Sequence, residues 1–407
     1  MRKAALLAGT LLLACSRVAT AALVIEVAAG KYPRENTPVF LALPADLQLR
    51  QAFTLAQQDN GRAMDVQRLP GGEAVVAWII REPLPAGQTR RYRLEAAERP
   101  PSAANASPAV TCTVDGKRLL VKVQGRPALQ YNIAEVPSPP GLEEFYARSG
   151  YIHPLFNPAG QAVTDDFPPD HAHQHGLFFA WVNTTFEGRN LDFWNQAKKT
   201  ARIKHAGLDD AVGGNVLGQF VARLRHEDLT PLGGPKPVLD ETWTVRVYNL
   251  SDLVLVDLQS VQRCASASPL IVNQNNYGGM ALRGAREWYH QKESDFLTSE
   301  GKTRADGNAT AARWVEMYGL IDGRPSGVIA MTAPENLRSP EPVRLHPEKP
   351  YFCFAPMILG QFTLEPGKQY TWRYRYAVHM GKPDAALAER LWRDFAEPPV
   401  VKVVGQE

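Results

Sequence analysis

Three of the chain's nine histidines fall in the run Asp170-His171-Ala172-His173-Gln174-His175-Gly176. They occupy alternate positions, so an extended segment would project all three imidazoles from one face. Neighbouring rings would then spring from backbone points roughly 6–7 Å apart, close enough to converge on one divalent metal or one small substrate. In a helix only His171 and His175 would share a face. The flanks add chemistry. Thr164-Asp165-Asp166-Phe167-Pro168-Pro169-Asp170 brings three carboxylates and a proline pair that forbids a helix. Leu177 to Val182 is a short apolar run rich in β-favouring aromatics. Phe186-Glu187-Gly188-Arg189-Asn190-Leu191-Asp192-Phe193-Trp194-Asn195 then mixes charges, amides and rings. Such mixtures suit a sugar, because rings stack on C–H faces while polar groups bond hydroxyls. The plain alternative is a surface loop with solvated histidines.

A second unusual stretch is Asn273-Gln274-Asn275-Asn276-Tyr277-Gly278-Gly279-Met280-Ala281-Leu282-Arg283-Gly284. Asparagines and paired glycines are costly inside a plain strand, so this reads as a rim that approaches a ligand, or else as an ornate turn. Arg283 offers a planar fork for a carboxylate or for hydroxyls. His153 and His379 are isolated histidines that read as core, turn or strand-end residues. No phosphate-binding loop and no G-x-S-x-G elbow occurs, so a nucleotide cofactor and serine-esterase chemistry have no support.

These residues must be held by a β-rich chain. Val24–Ala28, Pro38–Leu43, Ala74–Ile80 and Thr89–Leu94 are strand-like runs between turn residues, giving a small sandwich over 22–98. Residues 99–108 are rich in Pro, Ala and Ser and read as a linker. Strand signals resume at Val110 and recur to Val378, and Trp243-Thr244-Val245-Arg246-Val247-Tyr248 alternates cleanly. The expected architecture is all-β: a large antiparallel sandwich over 109–381 carrying the site. Only the end is helical in pattern: after Pro383, Leu387, Leu391, Trp392 and Phe395 form one stripe. Residues 382–407 are therefore expected to be a C-terminal helix and tail.

Arg2 and Lys3, an apolar stretch from Ala4 to Ala14 and Ala19-Thr20-Ala21 form an export signal pattern over 1–21. Cleavage after Ala21 would give a periplasmic or secreted protein. Leu12-Leu13-Ala14-Cys15 resembles a lipobox, whose alternative product is lipid-anchored at Cys15. Loss of Arg2, Lys3 and Arg17 takes the formal charge from +3 to zero, which leaves no electrostatic case for nucleic acid. No later stretch is apolar enough to span a membrane. Cys112, Cys264 and Cys353 lie far apart, without C-x-x-C spacing, and read as buried thiols.

With these elements in place, a family resemblance emerges. Arg148-Ser149-Gly150-Tyr151-Ile152-His153-Pro154, the aspartate–histidine block 164–176, Phe186-Glu187-Gly188-Arg189 and Asp192-Phe193-Trp194 resemble an exported bacterial family labelled "PmoA" or "methane oxygenase". Tyr277-Gly278-Gly279, Arg283-Gly284 and Tyr374-Arg375-Tyr376 with His379 resemble it too. The likeness runs over about 110–381. The resemblance implies a domain of unknown function with a galactose-mutarotase-like supersandwich, of a kind associated with carbohydrate breakdown. It also implies that the third histidine position can be arginine, which favours His171 and His173.

The reading that follows is an exported carbohydrate-active lyase, hydrolase or epimerase working by proton transfer. His171 or His173 would be the acid or base, and Asp170 or Asp166 would orient it. Glu187, Arg189, Asp192, Trp194, Tyr277 and Arg283 would hold the sugar, the aromatic ones by stacking. In a variant, His171, His173 and His175 bind one divalent metal. The alternatives are a non-catalytic glycan binder and the oxygenase of the family label. The two unusual stretches are expected to share one pocket lined by His171, His173, Glu187, Arg189, Tyr277 and Arg283.

Overall fold

A computed structural model describes residues 22–98 and 107–407. The expected leader, 1–21, and positions 99–106 of the expected linker lie outside the described residues. The chain is all-β, with large antiparallel sheets and one α-helix near the C-terminus. One eight-stranded sheet runs in the order Ala201–Val212, Leu217–Asp228, Lys236–Tyr248, Leu253–Cys264, Tyr370–Met380, Arg324–Thr332, Trp314–Ile321 and Asp295–Thr298. A second eight-stranded sheet includes Tyr351–Phe354, Gly279–Arg283, Leu177–Ala180, Tyr151–Leu155 and Arg126–Asn132 as consecutive neighbours. Both sheets feed one buried core: Trp243, Val245 and Val247 from the first join Phe178, Tyr151, Leu282 and Phe354 from the second.

The alternation explains the first sheet. Trp243, Val245 and Val247 are buried, while Thr242, Thr244 and Arg246 between them are half-buried. Leu177–Ala180 is buried on both faces, hence its unbroken apolar sequence. A smaller four-stranded sheet holds Thr184–Phe186 and Arg189–Leu191 beside Leu270–Val272 and Phe362–Leu364. The three cysteines Cys112, Cys264 and Cys353 are free thiols. Burial pushes the Cys112 thiol up to about 12 and the Cys353 thiol up to about 11.

The N-terminal segment forms a five-stranded and a three-stranded sheet around Trp78, Tyr92, Ile25 and Leu94. Its five-stranded sheet is completed from the far end of the chain: Val400–Gln406 pairs antiparallel with Leu23–Ala28. The tail that follows the expected helix is thus a strand. The helix Ala385–Ala396 precedes it and buries Leu391 and Phe395 against Leu255, Ile329 and Ala377. A buried pair ties the helix to the N-terminal unit, since Arg34 Nη1 donates to Asp394 Oδ1 at 2.9 Å and Thr37 Oγ1 to Oδ2 at 2.9 Å.

Asp384 caps the helix, its Oδ1 accepting from the backbone N–H groups of Ala386 and Leu387. Asp384→Ala is expected to cost about 1 kcal/mol, read from urea unfolding midpoints. No helix among the described residues is long and apolar enough to cross a membrane.

Candidate functional site

The histidine block is not extended. Phe167 adopts a left-handed φ of 47° before Pro168-Pro169. The backbone then turns twice, with His171 N donating to Pro168 O (3.0 Å) and Gln174 N to His171 O (2.8 Å). The base of this excursion is stitched to the second large sheet. Gly176 N donates to Asp165 O at 2.9 Å and Arg283 N to Gly176 O at 2.8 Å. Gly176 has φ 51°, and a Cβ there would overlap the Ile152 carbonyl oxygen and the His153 side chain. Gly176→Ala is therefore expected to cost about 2 kcal/mol, measured by denaturant unfolding, because backbone rather than a flexible side chain must yield.

These turns send the histidines in two directions. His175 goes inward and is fully buried. Its Nδ1 lies 2.7 Å from Asp166 Oδ1, and its Nε2 lies 2.8 Å from Gln196 Oε1. Gln196 cannot turn its amide round, since its Nε2 faces the carbonyl oxygens of Phe145, Tyr146 and Ala147. Tyr151 donates to Asp166 Oδ2 at 2.6 Å. Burial alone would raise the Asp166 carboxyl, but the His175 hydrogen bond and charge hold it below the usual carboxylate range. Asp166 therefore fixes His175 and contacts neither His171 nor His173 by hydrogen bond. His153 is likewise held, with Nδ1 2.9 Å from Thr164 Oγ1. His379 pairs with Glu316 inside the other sheet.

His171 and His173 go outward and stand edge to face, with ring centroids 5.5 Å apart. His346 joins them, 5.8 Å from His171. Asp170 anchors this group. Its Oδ2 is 3.1 Å from His171 Nδ1 and 2.6 Å from Lys349 Nζ, and its Oδ1 is 3.2 Å from Arg283 Nη2. Burial opposes the Asp170 charge, yet the Lys349 hydrogen bond and the Arg283 charge hold its carboxyl far below the usual range. Arg283 is itself buried and also donates to Gln174 Oε1 at 3.0 Å. It braces the block and is not a free fork for a substrate.

The three outer imidazoles are all kept neutral at pH 7. Burial lowers His173 to about 4, with the His171 and His175 rings adding to the effect. Burial and the charges of Arg344 and Lys349 lower His346 to about 4. His171 is lowered too, first by burial. His346 Nδ1 accepts from the backbone N–H groups of Glu348 and Lys349, at 3.1 and 3.2 Å. Its ring proton is thereby assigned to Nε2. Among the described residues, no hydrogen-bond partner engages the half-buried His173 ring.

A row of rings continues from the histidines. His346 lies 6.1 Å from Tyr351, Tyr351 lies 5.9 Å from Trp194, and Trp194 lies 5.5 Å from Tyr277. Trp194 is 1% exposed, so it packs as core and cannot be the stacking platform expected of it. Tyr277 is half-buried, and its hydroxyl accepts from Asn195 Nδ2 at 3.0 Å. Asp192 is fully buried. It closes its own turn by accepting from the N–H groups of Trp194 and Asn195, with Lys198 Nζ at 2.7 Å.

Arg283 thus belongs to the histidine surroundings, and, among the described residues, Tyr277 is linked to them only through Tyr351 and Trp194. Glu187 and Arg189 do not belong to them. Arg189 Nη2 sits 2.8 Å from Asp228, and Glu187 binds Lys236 and Ser268. No hydrogen bond or ion pair among the described residues joins this cluster to the histidines, because its charges satisfy one another. The expected common pocket of all six residues is therefore not formed: Glu187 and Arg189 lie in their own charge cluster.

The expected metal triad does not fit this geometry. His175 has both nitrogens engaged and points away from His171 and His173. Among the described residues, no group of three or more His, Cys, Asp or Glu is arranged to hold a metal ion. His346 and Lys349 escaped the sequence reading. They come from Leu345-His346-Pro347-Glu348-Lys349-Pro350, a turn with no periodic pattern, and reach the block only through the fold.

The family model DUF6807, a family of unknown function, matches residues 118–393. The chain belongs to that family. The match contains the histidine block, Tyr277, Arg283, His346 and Lys349. Nothing in the match links the chain to the "PmoA" label. No curated protein matches the sequence. Among solved structures, heparan sulfate lyase HepC from Pedobacter heparinus aligns at TM-score 0.31 and 11% identity, over 69% of this chain and 36% of that one. The chain therefore spans about a third of that lyase. A galactose mutarotase related enzyme from Lactobacillus acidophilus aligns at TM-score 0.30 and 10% identity, over 68% of this chain and 99% of the enzyme. A putative aldose 1-epimerase from Escherichia coli K12 aligns at TM-score 0.27 and 10% identity, over 68% and 100%.

Proposed function

We propose that this chain acts on a sugar or glycoside by proton transfer, with His173 as the base. The observation that carries this reading is the His173 ring: neutral, half-buried and unclaimed by any described partner, beside a fixed charged group. A base needs a free lone pair, and a neutral imidazole supplies one. Lys349, held by Asp170 and 3.3 Å from Nδ1 of the neighbouring His171, provides positive charge for an oxyanion or enolate that develops as the proton leaves. His346, with its proton on Nε2, is a donor whose ring lies 5.8 Å from that of His171. Tyr277 and Asn195 offer a ring and an amide of the kind that contacts pyranose faces and hydroxyls. Export to the periplasm or medium accords with the pattern at 1–21.

The test is a panel of neutral and acidic mono- and oligosaccharides incubated with the full chain and followed by proton NMR. Turnover or anomeric exchange of one class, lost in His173→Ala, supports the proposal. Binding without turnover, unchanged in the His171→Ala/His173→Ala double variant, makes the chain a glycan binder and sinks it.

A further inference from the structure

A cavity of about 390 Å3 opens behind the histidine block, and its inner wall carries Arg148. Arg148 is 3% exposed, and its Nε and Nη2 are buried without a partner among the described residues. Its guanidinium leans on the Phe178 ring at 5.0 Å. Burial lowers it to about 10, so it remains charged at neutral pH. Arginine buried without a counter-ion is costly, and structures seldom retain one that nothing uses. The nearby acids are already claimed. Asp166 serves His175 and Tyr151, and Glu241 takes His226, Trp243, Ser260 and Gln262.

The rest of the cavity suits a small acidic ligand. Lys199, Arg202 and Lys204 line it, and the latter two are bound to Glu227. Lys199 lies over the Phe145 ring at 4.6 Å, with its ammonium in no ion pair among the described residues. Glu135 and Glu144 are exposed lining residues, able to accept from hydroxyl groups. Gln196 forms part of the wall, locked by the carbonyls of Phe145 to Ala147 on one side and by His175 on the other. The cavity therefore has a rigid floor and two cations, Arg148 and Lys199, in no ion pair among the described residues.

We propose that this cavity is a second ligand site, which binds the oxyanion group of a small acidic molecule through Arg148 and Lys199. It is independent of the proton-transfer reading. Carboxylate and sulfate share the required chemistry, and the two probes separate them.

Thermal melts and titration calorimetry of the full chain with D-glucuronate, with inorganic sulfate and with neutral D-glucose read the site. Glucuronate or sulfate should raise Tm and bind, and glucose should not. Glucuronate alone acting would assign a sugar-acid carboxylate, and both acting would assign a general oxyanion site. Arg148→Met should abolish binding while raising Tm of the unliganded chain, because an unpaired buried charge is gone. Should that variant fail to fold, Lys199→Glu decides, with affinity expected to fall about fivefold or more. No response to either anion overturns the proposal. So does unchanged binding in a folded Arg148→Met, or, where that variant fails to fold, in Lys199→Glu. Loss of binding in His173→Ala also overturns it, since the anion would then sit at the histidines.

Discussion

His173→Ala is expected to lower turnover by about 10²- to 10⁴-fold with the fold intact, the range for removing a general base. The ring makes no described hydrogen bond, so its loss strips no buried partner. Two controls give the prediction its shape. Asp166→Asn should act chiefly on stability, because Asp166 holds the buried His175 and does not touch the outer rings. The pH profile supplies the second control. A base lowered to about 4 is already free of its proton at pH 5. Activity should rise with pH through about 4 and stay level through 6.5, where an ordinary histidine would still be titrating. Steady-state rates from pH 3.5 to 8 on a substrate found in the saccharide panel check this.

The second large effect is on stability. Glu341 is fully buried and accepts from Thr332 Oγ1, Asn336 Nδ2 at 2.8 Å and Tyr374 Oη at 3.2 Å. All three are neutral donors. Burial raises its carboxyl to about 7 despite those bonds. The folded state therefore binds this proton more tightly than the unfolded chain does. The resulting stabilisation is fully present below about 4.5 and is lost as pH rises through about 7. A shift of that size corresponds to ~3 kcal/mol. Glu341→Gln should remove this dependence and leave the variant more stable than wild type at pH 8. Urea unfolding of both proteins at pH 5 and pH 8 gives the comparison. Equal pH slopes for the two would contradict the assignment.

Much of the scaffold was legible because burial follows period two. Trp243 to Tyr248 alternates in sequence and in exposure, and the stripe of Leu391 and Phe395 marks the only α-helix among the described residues. The strand Val400–Gln406 was missed because most of its side chains are exposed, so its pairing with Leu23–Ala28 leaves no amphipathic trace. At the site, residue types were informative and geometry was not. Alternating histidines suggest one face, but the left-handed Phe167 and two prolines turn the backbone and divide them. Trp194 and Asp192 looked like ligand contacts and are buried parts of the turn that holds them. Glu187 and Arg189 looked available and neutralise neighbours instead. His346 and Lys349 lie more than 170 positions from the block in sequence, and only the pairing of Gly279–Arg283 with Tyr351–Phe354 brings them near.

The most direct test is the protonation of His173 itself. Nitrogen-15 NMR of histidine-labelled protein, assigned by the missing resonance in His173→Ala, follows each ring through a pH titration. The account predicts that His173 takes up its proton near pH 4 and remains neutral at pH 7. A His173 that is still protonated at pH 7, with its titration complete only above neutrality, would be charged or strongly paired under working conditions and would contradict its role as the base.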